Sequence, residues 1–479
     1  MEQGARNQEP EHQNILASGS WLLAPFPMEL TMTQPGYPAE WAQMTPAQKR
    51  EYRINHFLNP DIKFVSPEAA KRYKVRAQRI IDAYNVQEPD RVPIMLPVGN
   101  LPLILQGVSM HESMYEVEKG IEACNVFNEK YSEELDYFAF PMAAPGKAFE
   151  ILDYKLYSWP GHGLSVNAPG YQYVEGEYMK VDEYEDMIRD PSDYWLRTYL
   201  PRIFGSFESF RMLSPLTDIL EIPMGQLMPL AFPQVQESLQ RLIDAGKELQ
   251  KRNEISAKRM KSGPAHGFPQ TMGLLNVAPF DALGDTMRGT KAIMIDMFRR
   301  PEKILKAIDV LTELIIYSML HSPMIAKALT VIFPLHKGAD GWMSEKQFDT
   351  LYWPSLKKVM DALIQEGIIC VMFAEGGYNT RLERVKDFPK GSVVWWFDQT
   401  DMAKAKKVLG DKFCIQGNVP SSLIVTGTPA DVKERCRKLI ETCGKGGGYI
   451  LGAGCVADNP KLENLRAMIA AVNEYGVYR

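Results

Sequence analysis

Hydrophobic positions in the last third of the chain fall in short unbroken runs. Ile368-Ile369-Cys370-Val371-Met372-Phe373, Val393-Val394-Trp395-Trp396-Phe397, Phe413-Cys414-Ile415 and Tyr449-Ile450-Leu451 each end in a polar or glycine-bearing turn, and a helical stretch follows each. Apolar runs without alternation belong to strands buried on both faces. Repeated with intervening helices, they predict parallel β/α units. Four earlier stretches complete the set: Val92 to Leu96, Asp136 to Phe140, Thr271 to Val277 and Leu329 to Phe333. Eight strands predict an α/β fold, a single closed (β/α)8 TIM barrel.

The remaining segments arrange themselves around that barrel. Residues 1–36 read as a disordered leader and residues 37–89 as an irregular arm ending in a helix from Pro67 to Tyr84. Ser66 is placed to cap that helix and Pro67 suits its first turn. Residues 90–479 form the barrel, with an insertion at about 145–262 after strand two. That insertion is rich in Tyr, Trp, Gly and Pro, and an insertion after a strand emerges on the catalytic face, so it is expected to roof the mouth. The chain closes on a helix from Leu462 to Tyr475, with Leu462, Leu465, Met468, Ile469 and Val472 on one face.

Composition narrows the class. A formal net charge of -5 and interleaved acids and bases argue against a nucleic-acid partner. No apolar run reaches the roughly 18 residues of a membrane span, and the leader lacks the basic start of a signal peptide. Six scattered cysteines without a CxxC pattern point to a reducing, cytoplasmic setting.

Barrel chemistry gathers on the loops that leave the strands, which singles out His336, Glu375, Asp398, Gln416, Asn418 and Cys455. Glu375 follows a buried strand and precedes two glycines. It is a candidate general acid or ligand, set against a plain ion pair with Arg381 or Lys337. Asp398 is a second catalytic candidate, set against capping the next helix. Gln416, Asn418 and His336 are candidate substrate contacts. Lys337 beside His336 is expected to lower its pKa and keep the ring neutral. Cys455 is either a metal thiolate or a small residue in a tight loop. Cys370 and Cys414 read as core, and His162 as a turn residue of the roof.

Two stretches then carry a resemblance. Gln416-Gly417-Asn418-Val419-Pro420 with Gly427-Thr428-Pro429-Ala430-Asp431-Val432, and Gly448 to Cys455 with Asn459-Pro460, resemble the uroporphyrinogen decarboxylase superfamily. Asp398 with the segment Met402 to Gly410 fits as well, and Ala278-Pro279-Phe280 is a weaker match. The resemblance implies the barrel and offers two activities. One branch decarboxylates a tetrapyrrole and carries an arginine-rich motif after its first strand. Here that place reads Pro97-Val98-Gly99-Asn100-Leu101, with no guanidinium to grip many carboxylates. The other branch moves a methyl group between a small methylated substrate and the cobalt of a corrinoid (cobalamin), often held on a separate protein. In that branch zinc is bound by a His-x-Cys and a later Cys. The corresponding positions here are Phe373-Ala374-Glu375 and Cys455, so the resemblance implies a zinc site of Glu375, Cys455 and His336. A corrinoid-dependent methyltransferase is the expected activity. The alternatives are a carboxy-lyase and a non-catalytic corrinoid- or tetrapyrrole-binding barrel.

Overall fold

The computed structural model describes residues 37–140, 143–217, 221–222, 224–260, 262–270 and 273–478. The expected leader lies outside the described residues. Seven parallel strands form the principal sheet: β1 (Ile94–Met95), β5 (Leu274–Leu275), β6 (Thr330–Leu335), β7 (Ile369–Ala374), β8 (Val393–Phe397), β9 (Cys414–Gln416) and β10 (Tyr449–Gly452), in the spatial order β1-β10-β9-β8-β7-β6-β5. The insertion adds a small sheet of β2 (Tyr157–Pro160), β3 (Gly163–Leu164) and β4 (Gln172–Tyr173). Three of the four late runs move by a single residue from the expected bounds, because uninterrupted Ile, Val, Phe and Trp leave little room for another reading.

The expected second strand, Asp136 to Phe140, does not join the sheet. Its backbone is satisfied by side chains. The Asn128 amide donates to Ala139 O at 2.6 Å, and its oxygen accepts from Ala139 N at 2.8 Å. Asp136 accepts from Ile94 N at 2.9 Å, and from Arg79 at 2.5 Å and Arg91 at 2.8 Å. An Asn amide carries one donor and one acceptor group, so it imitates the edge of a strand and removes the need for one. The seven strands therefore curl into an open barrel, with Asp136 linking the segment to β1. Expected strand three begins at residues outside the described set, and its described part shortens to Leu274–Leu275.

Parallel register and alternation set which residues face inward. Val371 pairs with Val394, Val394 with Cys414, and Ile332 with Val371. These residues and Ile450 pack against Tyr73, Ile80, Ile81 and Tyr84 of the helix Pro67–Tyr84. That helix starts as expected: Ser66 accepts a hydrogen bond from Ala69 N. Its apolar face plugs the N-terminal end of the barrel, each buried Ile contributing about 1.5–3 kcal/mol. The opposite stripe of the strands (Cys370, Met372, Val393, Trp395, Phe397) packs on the surrounding helices.

The insertion holds an aromatic cluster in which Phe149 lies 4.7 Å from Tyr154 and Tyr154 lies 4.9 Å from Phe204, centroid to centroid. His162 stacks on Trp159 at 4.6 Å, a turn role as expected. The insertion reaches the barrel mouth: Tyr173 OH donates to Asp285 O at 2.7 Å, and Glu175 accepts from Thr290 N. Among the described residues, no helix is long and apolar enough to cross a membrane.

Asp136 is 1 % exposed and faces two guanidiniums. Asp136→Ala leaves Arg91 without its carboxylate, takes from Arg79 one of its two (Asp90 remains), and frees Ile94 N. The expected loss is about 3–5 kcal/mol of unfolding free energy, read by urea denaturation. A loss under about 1 kcal/mol would refute the linking role.

Candidate active site

Continuing the inward column of each strand by two residues gives the ring at the mouth. Ile332–Pro334 leads to His336, Val371–Phe373 to Glu375, Val394–Trp396 to Asp398, Cys414–Gln416 to Asn418, and Ile450–Gly452 to Gly454. Pro334 pairs with Phe373, and Phe373 with Trp396, so His336, Glu375 and Asp398 follow one another around the rim. His336 Nε2 lies 3.8 Å from Glu375 Oε1. Both side chains reach solvent, at 41 % and 42 % exposure.

Four loops are stitched together beneath that ring. Gly376 N donates to Asp398 Oδ2 at 3.1 Å. The next loop comes closer still, because a Cβ at Gly454 would stand 2.8 Å from Asp398 Oδ1, so only glycine fits there. Asn418 donates to Asp398 O at 2.9 Å and Thr400 O at 2.8 Å, while its own oxygen accepts from Arg435. The loops after β7, β8, β9 and β10 thus converge.

His336 is fixed by residues that sequence reading passed over. Its Nδ1 lies 2.6 Å from Asp285 Oδ2, and Lys337 Nζ lies 2.8 Å from Asp285 Oδ1. Lys337 Nζ also donates to Thr290 Oγ1 at 2.8 Å. Buried Asp281 accepts from the backbone N–H of His336 and of Lys337, each at 3.0 Å, and from Tyr352 OH at 2.7 Å. Asp281 and Asp285 stand four apart directly after Pro279-Phe280, on the exit of β5. Two acids one helical turn apart at a strand exit are the signal that could have found them.

The electrostatics correct one expectation. The hydrogen bond and charge of Asp285 outweigh burial and raise the His336 pKa to about 9. The ring is therefore an imidazolium at neutral pH, and not the neutral ring expected from Lys337. Lys337 fails to depress it because Asp285 lies between the two cations. Burial raises Glu375 above the usual carboxylate range; His336 opposes that shift, and Asp398 and Asp285 add to it. Burial would raise Asp285 as well, but hydrogen bonds from His336 and Lys337 hold it below its ordinary value. Burial and the Asp285 charge raise Asp281.

Other candidates take plainer places. Glu375 pairs with neither Arg381 nor Lys337: Arg381 donates to Gly338 O and Met343 O, and Lys337 is held by Asp285. Asp398 does not cap the next helix; Asp401 does, accepting from Ala403 N and Lys404 N. Asn418 serves as a loop tie, its amide spent on backbone and Arg435. Gln416 is 4 % exposed and donates to Met95 Sδ at 3.1 Å. Cys455 is half-buried, its Sγ 3.2 Å from Ser421 Oγ. The other five cysteines are buried.

Zinc needs donors within about 2.0–2.3 Å of one point. Glu375, His336 and Cys455 do not offer that. His336 Nδ1 is taken by Asp285, and Cys455 Sγ lies 3.2 Å from Ser421 Oγ. Among the described residues, no three His, Cys, Asp or Glu side chains are arranged to hold a metal ion. The ligand set implied by resemblance does not fit, and no chemical step here runs through it.

A parallel β/α barrel with carboxylates and an imidazolium on its strand exits has the build of a barrel enzyme. Residues 271–475 match the family model described as uroporphyrinogen decarboxylase (URO-D). The chain is 24% identical over 279 residues to the uroporphyrinogen decarboxylase of Actinobacillus succinogenes, covering 57% of this chain and 73% of that one. It is likewise 24% identical over 302 residues to the enzyme of Pectobacterium atrosepticum, covering 60% and 77%. Among solved structures, a methyltransferase from Methanosarcina mazei shares the fold, with TM-score 0.53 and 16% identity over 84% of this chain and 98% of that one.

The raised His336 pKa has a signed consequence. Its ion pair stabilises the fold fully below about pH 6.5, the ordinary histidine value, and that contribution is lost as pH rises through about 9. An NMR titration of His336 is expected to show a midpoint near 9. Asp285→Asn should bring it back toward 6.5 and flatten the fall in thermal stability over that window. An unmoved midpoint in the variant would discard Asp285 as the cause.

Proposed function

We propose that this protein transfers a methyl group from a small methylated substrate to the cobalt of a corrinoid, brought to the mouth as a substrate on a separate protein. The observation that carries this reading is the acid pair at the mouth: Glu375, raised above its ordinary pKa, 3.8 Å from a charged His336 that Asp285 orients. In methyl transfer the bond between the methyl carbon and its heteroatom breaks, and the electron pair stays on the heteroatom. The corrinoid, as reduced Co(I), supplies the pair for the new carbon–cobalt bond. What the protein must supply is orientation and a proton for the departing oxygen, nitrogen or sulfur. Glu375, whose pKa burial raises, is placed to give that proton, and the imidazolium beside it stabilises the carboxylate left behind.

Three arginines of the surrounding segments are not free to grip a polycarboxylate substrate. Arg288 is bound to Asp296 and Glu177, Arg381 to backbone carbonyls, and Arg435 to Asn418. A tetrapyrrole with many carboxylates requires several free guanidinium forks, and these three are already engaged within the protein. The methyltransferase fold neighbour supports the reading at the level of architecture.

The test is anaerobic transfer from O-, S- and N-methyl donors to Co(I)alamin, with CO2 release followed in parallel. Glu375→Gln keeps the shape but cannot give a proton, so kcat/KM should fall about 10²–10⁴-fold. The native rate should decline as pH rises through the Glu375 pKa. Carbon dioxide release from a carboxylated substrate without corrinoid, and no transfer from any donor class, would replace this reading with a carboxy-lyase.

A further inference from the structure

One face of the insertion is apolar and open. Helix Pro233–Met260 buries Val235 and Ser238, and Val235 and Leu242 pack with Phe207, Phe210 and Leu213. Leu239 and Ile243 each follow one of the inward residues by a single position, which turns them about 100° off the buried row. Both are exposed. Gln236 lies three and seven residues before them, on their side of the helix. Its Nε2 donates to Leu230 O at 3.2 Å, which ties the turn Gly225–Ala231 against that row. The turn carries Leu227 and Met228, and Ile222 and Met224 lead into it; these four are 55 % to 70 % exposed. Six such side chains present roughly 650 Å² of apolar surface, above the about 300–600 Å² of the largest patch on a typical monomer.

Gly246 is a second, independent observation. It is exposed in mid-helix on the same row, three residues after Ile243, and a Cβ there would meet nothing within 4 Å. Glycine weakens a helix interior, and packing within the chain gives no reason for it here. Close approach of another backbone does. Charge narrows the visitor. Glu237 pairs with Arg241 at 2.9 Å and Asp244 with Lys247 at 3.2 Å, so the cations flanking the row are neutralised within the helix. That disfavours an anionic lipid surface, which is held by free Lys and Arg. It suits a neutral apolar partner. We propose that the occupant is a second copy of this chain and that the insertion forms a two-fold dimer interface. Such an interface sets the same row against itself. Two antiparallel helices centred on residue 241 bring Leu239 to the partner's Ile243, and Gln236 to the partner's Gly246. The apolar area approaches the roughly 800 Å² that each partner gives to a standard interface, with the polar rim still to be added. Met224 and Met228 adapt to such a contact because an unbranched thioether fills irregular gaps.

Sedimentation velocity on the intact protein is expected to give twice the 54.3 kDa chain mass at micromolar concentration. Ile243→Glu buries an unpaired charge in the interface, and Gly246→Leu blocks the close approach. Each should raise the dissociation constant about 100-fold or more and return the single-chain mass. Both positions are exposed, so the single chain accommodates either change. Phe298→Glu, at a residue 77 % exposed on the helix Thr290–Arg299, should leave the dimer intact. Hydrogen exchange should show protection over residues 224–246 that grows with protein concentration. A single-chain mass for the native protein overturns the proposal. So does a dimer that Ile243→Glu and Gly246→Leu leave untouched, or one that Phe298→Glu dissolves. Binding to vesicles of phosphatidylcholine and phosphatidylglycerol that Ile243→Glu abolishes would assign the face to a membrane and overturn it as well.

Discussion

Side-chain alternation along parallel strands is the constraint on which this molecule depends. Every second residue of β6 to β10 faces the barrel axis, so a strand has only three or four inward positions from bottom to top. The lowest are Val371, Val394, Cys414 and Ile450, taken up by contact with the helix Pro67–Tyr84. The next are Phe373, Trp396 and Gln416. The last are His336, Glu375, Asp398 and Asn418, beyond the hydrogen-bonded strands. A one-residue slip of any strand would turn its carboxylate or amide onto the helical shell and bring an apolar residue to the mouth.

That ring concentrates like charges, and the surroundings show how it is tolerated. Asp281, Asp285, Glu375 and Asp398 approach one another in a partly buried region, where isolated carboxylates are costly. Two cations and several N–H groups answer them. Lys337 and His336 share Asp285, the backbone of the same two residues serves Asp281, and Gly376 N serves Asp398. Glu375 has only the looser contact with His336, at 3.8 Å. Asp285, which takes both cations, is held below its ordinary value, whereas Glu375, with only the looser contact, is raised, as is fully buried Asp281. Division of this kind among neighbouring carboxyls is how one site keeps a proton donor beside fixed anions.

The late strands were legible because Ile, Val, Phe and Trp in unbroken runs admit few alternatives, and their exits followed from the barrel rule. The segment Asp136 to Phe140 misled for a physical reason. Its apolar residues satisfy a strand pattern, but Asn128 and Asp136 supply the hydrogen bonds a neighbouring strand would have given. In the site, Glu375 and His336 were legible as a pair of loop residues. Their charge state was not, because it depends on Asp285, about fifty residues earlier in the chain. Adjacent Lys337 suggested repulsion; only the fold shows the carboxylate standing between the two cations. Cys455 is the opposite case. Its loop comes to Asp398 across the mouth, past β9, yet its thiol turns to Ser421, a rotamer outcome that no spacing encodes.

The plugged lower end and the open upper end together decide where chemistry can occur. Tyr73, Ile80, Ile81 and Tyr84 fill the base, and the stacked rings of Phe373 and Trp396 lie one layer below Glu375. The insertion is fixed at the mouth by Tyr173 on Asp285 and Glu175 on Thr290, beside the residues that hold His336 and Lys337. The insertion thus meets the helical turn Ala282–Met287, which carries the Asp285 that orients the imidazolium facing Glu375, and the start of the following helix at Thr290.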